Sequence, residues 1–213
     1  MPKYFVVVAG NIGAGKTSLA RLVAARLGWD AFFESVDDNP YLADFYRDMR
    51  AWSFHLQVFF LGHRAKVHRH LSLRHPSSSI LDRSIYEDAE IFARALHSLG
   101  NLDARDLSAY RAVYDEVVAS LPHPHLLIYL RATVPTLLQR IQKRARGIET
   151  GITAEYLTLL NSYYEGWLQN FDLCPVLTVP SDELDFVECE QHLTTIVERV
   201  LDRLKGKEEI SFD

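Results

Sequence analysis

Positions 10 to 17 of the chain read Gly10-Asn11-Ile12-Gly13-Ala14-Gly15-Lys16-Thr17. They fit G-x-x-x-x-G-K-[ST], a pattern in which the backbone N–H groups of a glycine-rich turn close around phosphate oxygens. The apolar run from Tyr4 to Ala9 precedes the turn and a helical pattern from Ser18 to Leu27 follows it. The positive end of that helix would face the same phosphates. We therefore expect residues 10 to 18 to bind a nucleotide, with Lys16 at the β- and γ-phosphates and Thr17 as a ligand of Mg²⁺. The alternative is a glycine-rich turn that binds nothing.

The composition is that of an ordinary globular chain. Its 213 residues, 48% hydrophobic and 24% charged, predict a single domain over residues 1–213 with one large core. The net charge of -5 gives no basic footprint, so a nucleic acid polymer is not an expected partner. With only 2 cysteines and no C-x-x-C pair, we expect neither a disulfide framework nor structural zinc, and a cytoplasmic location. No apolar run could span a bilayer and no signal sequence is recognisable, so we expect no membrane association.

Short apolar runs alternate with helical patterns along the whole chain. Five runs read as strands: Tyr4 to Ala9, Ala31 to Phe33, Ile80 to Ser84, Leu126 to Leu130, and Val176 to Val179. The helical patterns cover residues 41–50, 52–70, 88–99, 104–120, 134–146, 153–171 and 186–204. This alternation predicts an α/β fold, a doubly wound parallel sheet of five strands with helices on both faces. With the phosphate-binding turn after its first strand, it is a P-loop NTP-binding fold. The polar residues from about 205 to 213 are expected to fray.

Two acids stand where predicted strands end, in the crevice where open α/β sheets bind ligands. Glu34 follows the run Ala31 to Phe33 and is a candidate general base. The alternative for Glu34 is a solvated loop acid or a helix cap. Asp82 lies at the exit of the next strand, where a carboxylate can hold Mg²⁺ or its waters opposite the hydroxyl of Thr17.

The helical pattern over 52–70 carries polar side chains on an apolar face. Gln57 and Arg64 are seven positions apart and share that face, with Phe60 between them. This arrangement indicates recognition of a flat polar ligand, and the alternative is the surface stripe of a helix. His63, His68 and His70 are better explained as solvated histidines than as metal ligands, because no carboxylate or cysteine is spaced to join them.

The helical pattern that starts at Val134 ends in a cluster of cations before Gly147 and Gly151. The cluster consists of Arg140, Lys143, Arg144 and Arg146. It is typical of a basic lid, at about 143–151, that closes on phosphates. Compensation of the helix dipole is the alternative.

These motifs occur together in one order, and in that order the chain resembles the deoxyribonucleoside kinase family from about Lys3 to Leu204. The resemblance is carried by Glu34, Trp52-Ser53-Phe54 through Gln57, Arg64, Asp82-Arg83-Ser84-Ile85-Tyr86 with Asp88 and Phe92, and the arginine-rich lid. It implies transfer of the γ-phosphoryl of ATP to the 5′-hydroxyl of a deoxynucleoside in nucleotide salvage. It also implies the cofactors ATP and Mg²⁺ and a homodimer packed through helices.

The resemblance further implies a role for each matching position. Glu34 takes the proton of the 5′-hydroxyl, Arg83 orients that hydroxyl, and Lys16 acts at the transferred phosphoryl. Asp82 serves Mg²⁺ with Thr17. The residues implied to hold the nucleoside are Tyr46 and Glu149 at the 3′-hydroxyl, Gln57, Arg64 and Asp88 at the base edge, and Phe92 at the base face. The residues implied to hold the donor phosphates, beside the loop, are Arg140, Arg144 and Arg146.

The departures from the family pattern bear on the substrate. Asn39-Pro40 stands where animal members tend to place a tryptophan, and Leu56 where some have an aromatic ring. The chain thus looks closer to bacterial members of the deoxyadenosine or deoxyguanosine type. A preference for deoxycytidine or a broad specificity is the alternative.

Two other classes share part of the pattern. A kinase of the thymidylate kinase type accepts a phosphate, which needs a cation where this chain offers Glu34. A P-loop GTPase needs N/T-K-x-D and D-x-x-G, and the sequence contains neither.

Overall fold

The computed structural model describes residues 2–33, 39–144 and 151–205. Within these ranges the strands are β1 (Phe5–Gly10), β2 (Asp30–Phe32), β3 (Ser79–Asp82), β4 (Leu126–Arg131) and β5 (Val176–Pro180). They form one sheet in the order β2-β3-β1-β4-β5, and every pairing is parallel. The predicted five-stranded parallel sheet is therefore confirmed.

Helices connect the strands and cover both faces of the sheet. They are α1 (Lys16–Leu27), α2 (Leu42–Arg47), α3 (Met49–Arg69), α4 (Ile85–Glu87), α5 (Arg94–Ser98), α6 (Ala104–Ala119), α7 (Val134–Arg144), α8 (Ala154–Gln169) and α9 (Glu190–Lys205). A π-helical turn, His70–Arg74, extends α3, and a second one, Asp88–Ala93, joins α4 to α5. No helix within the described ranges is long and apolar enough to cross a bilayer.

The alternation of side chains along β1 divides the core in two. Phe5 and Val7 point to the face that α3, α6 and α8 cover, whereas Val6 and Val8 point to the face that α1, α7 and α9 cover. All four side chains are fully buried. Burying a side chain of this size contributes about 1.5–3 kcal/mol, so a strand that is apolar on both faces is stable only at the centre of such a sheet.

The last helix begins later than its sequence pattern predicted. The pattern placed its start at Phe186, but α9 begins at Glu190. The Asp185 carboxylate accepts the N–H groups of Val187 and Glu188 at 3.1 and 3.0 Å, which holds the chain in a turn before the helix. Phe186 is therefore buried although it lies in a turn, and Cys189 precedes the helix and is half-buried.

Candidate active site

The loop between β1 and α1 has a backbone that requires glycine. Gly13 has φ 83°, and a Cβ there would lie 2.9 Å from the carbonyl oxygen of Leu137. Gly15 has φ 101° and directly precedes the first turn of α1. The loop therefore presents the N–H groups of a helix N-terminus at the carboxyl end of β1, which suits phosphate oxygens.

Lys16 and Thr17 face the same edge of the sheet as Asp82. The Lys16 Nζ donates to the carbonyl oxygens of Gly10 at 2.7 Å and Asn11 at 2.9 Å. The Thr17 hydroxyl donates to Asp82 Oδ2 at 2.5 Å. This contact follows from the sheet, because Asp82 is paired with a β1 residue just before the loop. A hydroxyl and a carboxylate in contact are hard oxygen donors, and Mg²⁺ typically takes one or two such ligands together with substrate phosphates and waters. These two residues therefore fit the predicted ion.

The chain leaves β3 through a left-handed residue. Arg83 has φ 74°, and its N–H donates to the carbonyl oxygen of Val8 at 2.9 Å. Its guanidinium lies 4.5 Å from the ring centroid of Phe92. Among non-glycine residues this backbone conformation costs about 1–3 kcal/mol and often occurs at functional sites.

The two tyrosines at this end of the site differ in exposure. Tyr46 is 47% exposed. Tyr156 is more deeply placed, and its burial raises its pKa to about 12. The nearby Tyr46 also raises this pKa, and Arg83 lowers it by a smaller amount. The Tyr156 hydroxyl therefore stays protonated at neutral pH and can donate a hydrogen bond. Tyr156 was not singled out in the sequence.

Arg64 and Asp88 form a buried ion pair. The Arg64 Nε lies 3.0 Å from Asp88 Oδ2, and their side chains are 9% and 3% exposed. The Arg64 guanidinium also lies 5.1 Å from the ring centroid of Phe60. Gln57 is 4% exposed on the same helix, and its Oε1 accepts no hydrogen bond from the described residues. The predicted shared face of α3 is thus buried and polar.

The cations of α7 occupy two different environments. The Arg140 Nη1 donates to Ala14 O at 3.1 Å and to Ser181 Oγ at 2.6 Å, while Nη2 donates to Ser181 O at 2.7 Å. Arg140 therefore joins α7 to the loop and to the end of β5. Arg144 is exposed at the end of α7. Phe186 packs beside the loop, because a Cβ on Gly15 would lie 3.2 Å from its ring.

Three of the predicted site residues, Glu34, Arg146 and Glu149, lie outside the described residues, as does the predicted lid from residue 145 to 150. The described ranges contain no group of three His, Cys, Asp or Glu side chains that could hold a metal ion. His63 and His70 are exposed, as predicted, but the prediction is wrong for His68, which is fully buried on the inner side of α3 with its Nε2 2.7 Å from Pro122 O.

Sequence reasoning missed a buried acid and its tyrosine partner. Glu87 is fully buried and accepts the N–H of Gly10 at 3.2 Å and the hydroxyl of Tyr164 at 2.6 Å. The spacing Ser84-x-x-Glu87 fits a helix capping box and could have drawn attention to the acid. Tyr164 lies within an apolar helical pattern, and nothing in the sequence distinguishes it from a core residue.

Comparison with known proteins gives consistent matches over most of the chain. The family model described as deoxynucleoside kinase matches residues 6–205. The deoxyadenosine/deoxycytidine kinase of Bacillus subtilis (strain 168) is 36% identical over 203 residues, which cover 94% of this chain and 93% of that protein. The deoxyguanosine kinase of the same organism is 37% identical over 189 residues, covering 86% and 89%. The solved structure of the deoxyadenosine kinase from M. mycoides with bound dATP superposes with a TM-score of 0.79 at 30% identity, covering 93% and 99%.

Proposed function

Because the chain belongs to the deoxynucleoside kinase family, we propose that it transfers the γ-phosphoryl of ATP to the 5′-hydroxyl of a purine deoxyribonucleoside. The observation that carries this proposal is the contact between Thr17 and Asp82 at the mouth of a glycine loop. The protein also contains the buried ion pair of Arg64 and Asp88. It therefore combines a phosphate site with buried polar groups that suit the edge of a base.

The proposed reaction asks the protein mainly to position two substrates and to neutralise charge. The N–H groups of the loop hold the phosphates, and Lys16 moves from its carbonyl partners to the β- and γ-phosphates. Bound Mg²⁺ supplies positive charge there, and Thr17 and Asp82 are the residues that hold it. Arg83 orients the 5′-hydroxyl, and Glu34 accepts its proton.

The donor phosphates also need cations beside the loop. We assign this task to Arg140, Arg144 and Arg146, as the resemblance implies. The position of Arg140 against Ala14 supports its assignment, since its guanidinium already lies at the loop.

A second set of residues is assigned to the nucleoside. Tyr46 and Glu149 bind its 3′-hydroxyl, and Phe92 packs on the face of the base. Gln57, Arg64 and Asp88 bind the edge of the base. Gln57 supports this assignment, because its buried amide oxygen accepts from no donor among the described residues and is suited to a ligand.

The base edge decides which deoxynucleoside is preferred. Arg64 and Asp88 present donors and an acceptor together, which suits the mixed edges of adenine, guanine and cytosine. Thymine places a methyl group and a carbonyl in the same region and leaves Asp88 without a donor. We therefore propose deoxyadenosine or deoxyguanosine first, deoxycytidine next and thymidine poorest. The two Bacillus subtilis relatives are named for deoxyadenosine and deoxycytidine and for deoxyguanosine, which supports these three nucleosides as the candidates.

We further propose that residues 1–213 form one domain that works in the cytoplasm as a homodimer packed through helices. The resemblance to the family supports the dimer. Size-exclusion chromatography with light scattering would give about twice the mass of one 24.4 kDa chain. A monomer at all working concentrations would refute the dimer without affecting the proposed reaction.

The decisive experiment for the function is an ADP-release assay with ATP, Mg²⁺, each of the four deoxynucleosides and each of their monophosphates. Transfer to purine deoxynucleosides is expected. Transfer to the monophosphates alone would instead identify a nucleoside monophosphate kinase and refute the assignment of Glu34.

A further inference from the structure

Glu87 is a buried carboxylate that several parts of the fold use at once. Its Oε2 accepts the N–H of Ser84 at 2.7 Å and the Ser84 hydroxyl at 3.0 Å. Its Oε1 accepts the N–H of Gly10 at 3.2 Å and the hydroxyl of Tyr164 at 2.6 Å. The carboxylate thus joins the end of β1, the exit of β3 and the middle of α8.

A helix cap explains only part of this arrangement. In a capping box the acid returns to the backbone N–H at the start of its own helix, as Glu87 does with Ser84. The bonds from Gly10 and Tyr164 come from other elements, and the first of these residues begins the phosphate-binding loop. A carboxylate with no exposed surface needs several donors to offset its lost hydration, and here those donors come from the parts of the proposed site that must stay aligned.

Tyr164 contacts the same residue, Gly10, at its carbonyl group. Its hydroxyl lies 2.8 Å from the carbonyl oxygen of Gly10, to which Lys16 also donates. Burial, together with the charge of Glu87, raises the pKa of Tyr164 well above its ordinary value of 10.0, so the hydroxyl keeps its proton. It carries one hydrogen, which it shares between Gly10 and Glu87. When Lys16 turns to phosphates, Tyr164 remains as a donor to Gly10.

The left-handed residue at the exit of β3 also meets this carboxylate. The Arg83 Nη1 lies 3.9 Å from Glu87 Oε1. The same guanidinium also packs on the ring of Phe92. Glu87 thus faces both the residue that orients the acceptor hydroxyl in the proposed function and the loop that holds the donor phosphates.

We propose that Glu87 and Tyr164 are positioning residues for phosphoryl transfer, which hold the backbone of Gly10 on both sides of its Cα and the Arg83 side chain in one arrangement. Neither touches a substrate. The inference rests on the proposed function, because it concerns the alignment of that donor and that acceptor. Small misplacements of reacting groups lower the turnover number more than they lower substrate affinity.

The test compares Tyr164→Phe with Tyr86→Phe. Both tyrosines are buried, but the Tyr86 hydroxyl has no hydrogen-bond partner within the described ranges, so its removal controls for the loss of a buried hydroxyl. We expect Tyr164→Phe to lower kcat about 10-fold to 100-fold, with the KM of each substrate changed less than about threefold. Tyr86→Phe should leave kcat within about twofold. All rates are measured well below the unfolding midpoint of each variant, so that a lower stability does not mimic a lower kcat.

Glu87→Gln supplies the second arm. The substitution keeps the shape of the side chain but replaces one acceptor oxygen with an NH₂ group. This donor then faces the N–H and O–H donors that Glu87 accepts from. Because both residues hold the backbone of Gly10 and bond to each other, the combined variant should lose less kcat than the product of the two single losses. Multiplicative losses would refute the shared arrangement.

If Glu87→Gln does not fold, Tyr164→Phe decides alone. An unchanged kcat in Tyr164→Phe, or a rise in KM only, would overturn the positioning role while the unmutated protein remains active. Lack of transfer by the unmutated protein to every deoxynucleoside would instead count against the proposed function.

Discussion

Removing one partner of the buried pair formed by Arg64 and Asp88 should cost more than removing both. In Asp88→Ala the Arg64 guanidinium loses a carboxylate 3.0 Å away, while its side chain remains only 9% exposed. In the combined variant with Arg64→Met, neither charge remains, and the methionine can still pack on Phe60. The four proteins of this cycle therefore separate the attraction within the pair from the cost of burying each charge.

The structure sets the size of the effect. Leaving a buried charge without its partner costs about 3–5 kcal/mol, whereas replacing both partners by apolar side chains costs much less. We expect Asp88→Ala to lower the free energy of unfolding by about 3 kcal/mol, and the cycle to give a coupling of about 2–3 kcal/mol. The ion pair of Arg199 and Asp202 offers a matched control, because its atoms lie 3.9 Å apart on side chains that are 70% and 61% exposed. The same cycle there should give at most about 1 kcal/mol.

The pair should also control the choice of base. A pocket built on polar complementarity can reject a mismatched ligand by roughly 10⁴-fold, and an apolar pocket by roughly 10²-fold. In the combined variant, the ratio of kcat/KM for deoxyadenosine to that for thymidine should therefore fall toward roughly 10².

Urea unfolding of the four proteins gives the coupling, and the ADP-release assay with both nucleosides gives the specificity ratio. A coupling no larger than that of the control pair would refute the description of the pair as a buried ion pair that stabilises the pocket. Thymidine phosphorylation by the unmutated protein, at a kcat/KM equal to that of deoxyadenosine, would refute its role in choosing the base.

Three further outcomes are expected. Lys16→Ala should abolish transfer, because it removes the cation at the transferred phosphoryl, but it should leave the far-UV circular dichroism unchanged. An unchanged kcat would refute the kinase mechanism. Lys66→Ala, at an exposed lysine, is the control. Glu34→Gln should lower kcat about 10² to 10⁴-fold, because an amide cannot accept the proton, and a change in KM alone would identify a binding residue instead. Burial lowers the pKa of His68 below its ordinary value of 6.5. Below that pH the unfolded chain therefore binds more protons than the folded chain, so the free energy of unfolding decreases as the pH falls. This decrease should be at most about 1.4 kcal/mol per pH unit. It should be less steep in His68→Gln, which can still donate to Pro122 O. Equal slopes of the two proteins in urea titrations would show that His68 does not cause the pH dependence.

The nucleotide site could be predicted in outline because its parts lie at the ends of consecutive elements. The pattern from Gly10 to Thr17 fixes a strand, a turn and a helix by local preference alone. Asp82 could be placed opposite Thr17 because parallel strands bring their carboxyl ends to one edge. The helical period likewise put Gln57 and Arg64 on one face, and both are buried there.

Contacts between distant parts of the chain could not be predicted in the same way. Glu87 and Tyr164 are far apart in sequence, and their hydrogen bond depends on how α8 packs against the exit of β3. A tyrosine on an apolar face reads as core, and packing alone decides which atoms its hydroxyl meets. The late start of α9 has a similar reason, since the Asp185 carboxylate competes locally with the helix for backbone N–H groups.

The basic end of α7 illustrates why residue type and spacing leave a role open. Arg140 and Arg144 are one helical turn apart and looked equivalent as phosphate ligands. The structure gives Arg140 three oxygen acceptors, two from Ser181 and one from Ala14, while Arg144 stays at the exposed end of the helix. A guanidinium with five donors can keep some of these bonds and still turn others toward a phosphate at the loop. Arg140 therefore fixes where α7 meets the loop whether or not it binds phosphate, whereas the proposed role of Arg144 depends on a phosphate reaching it.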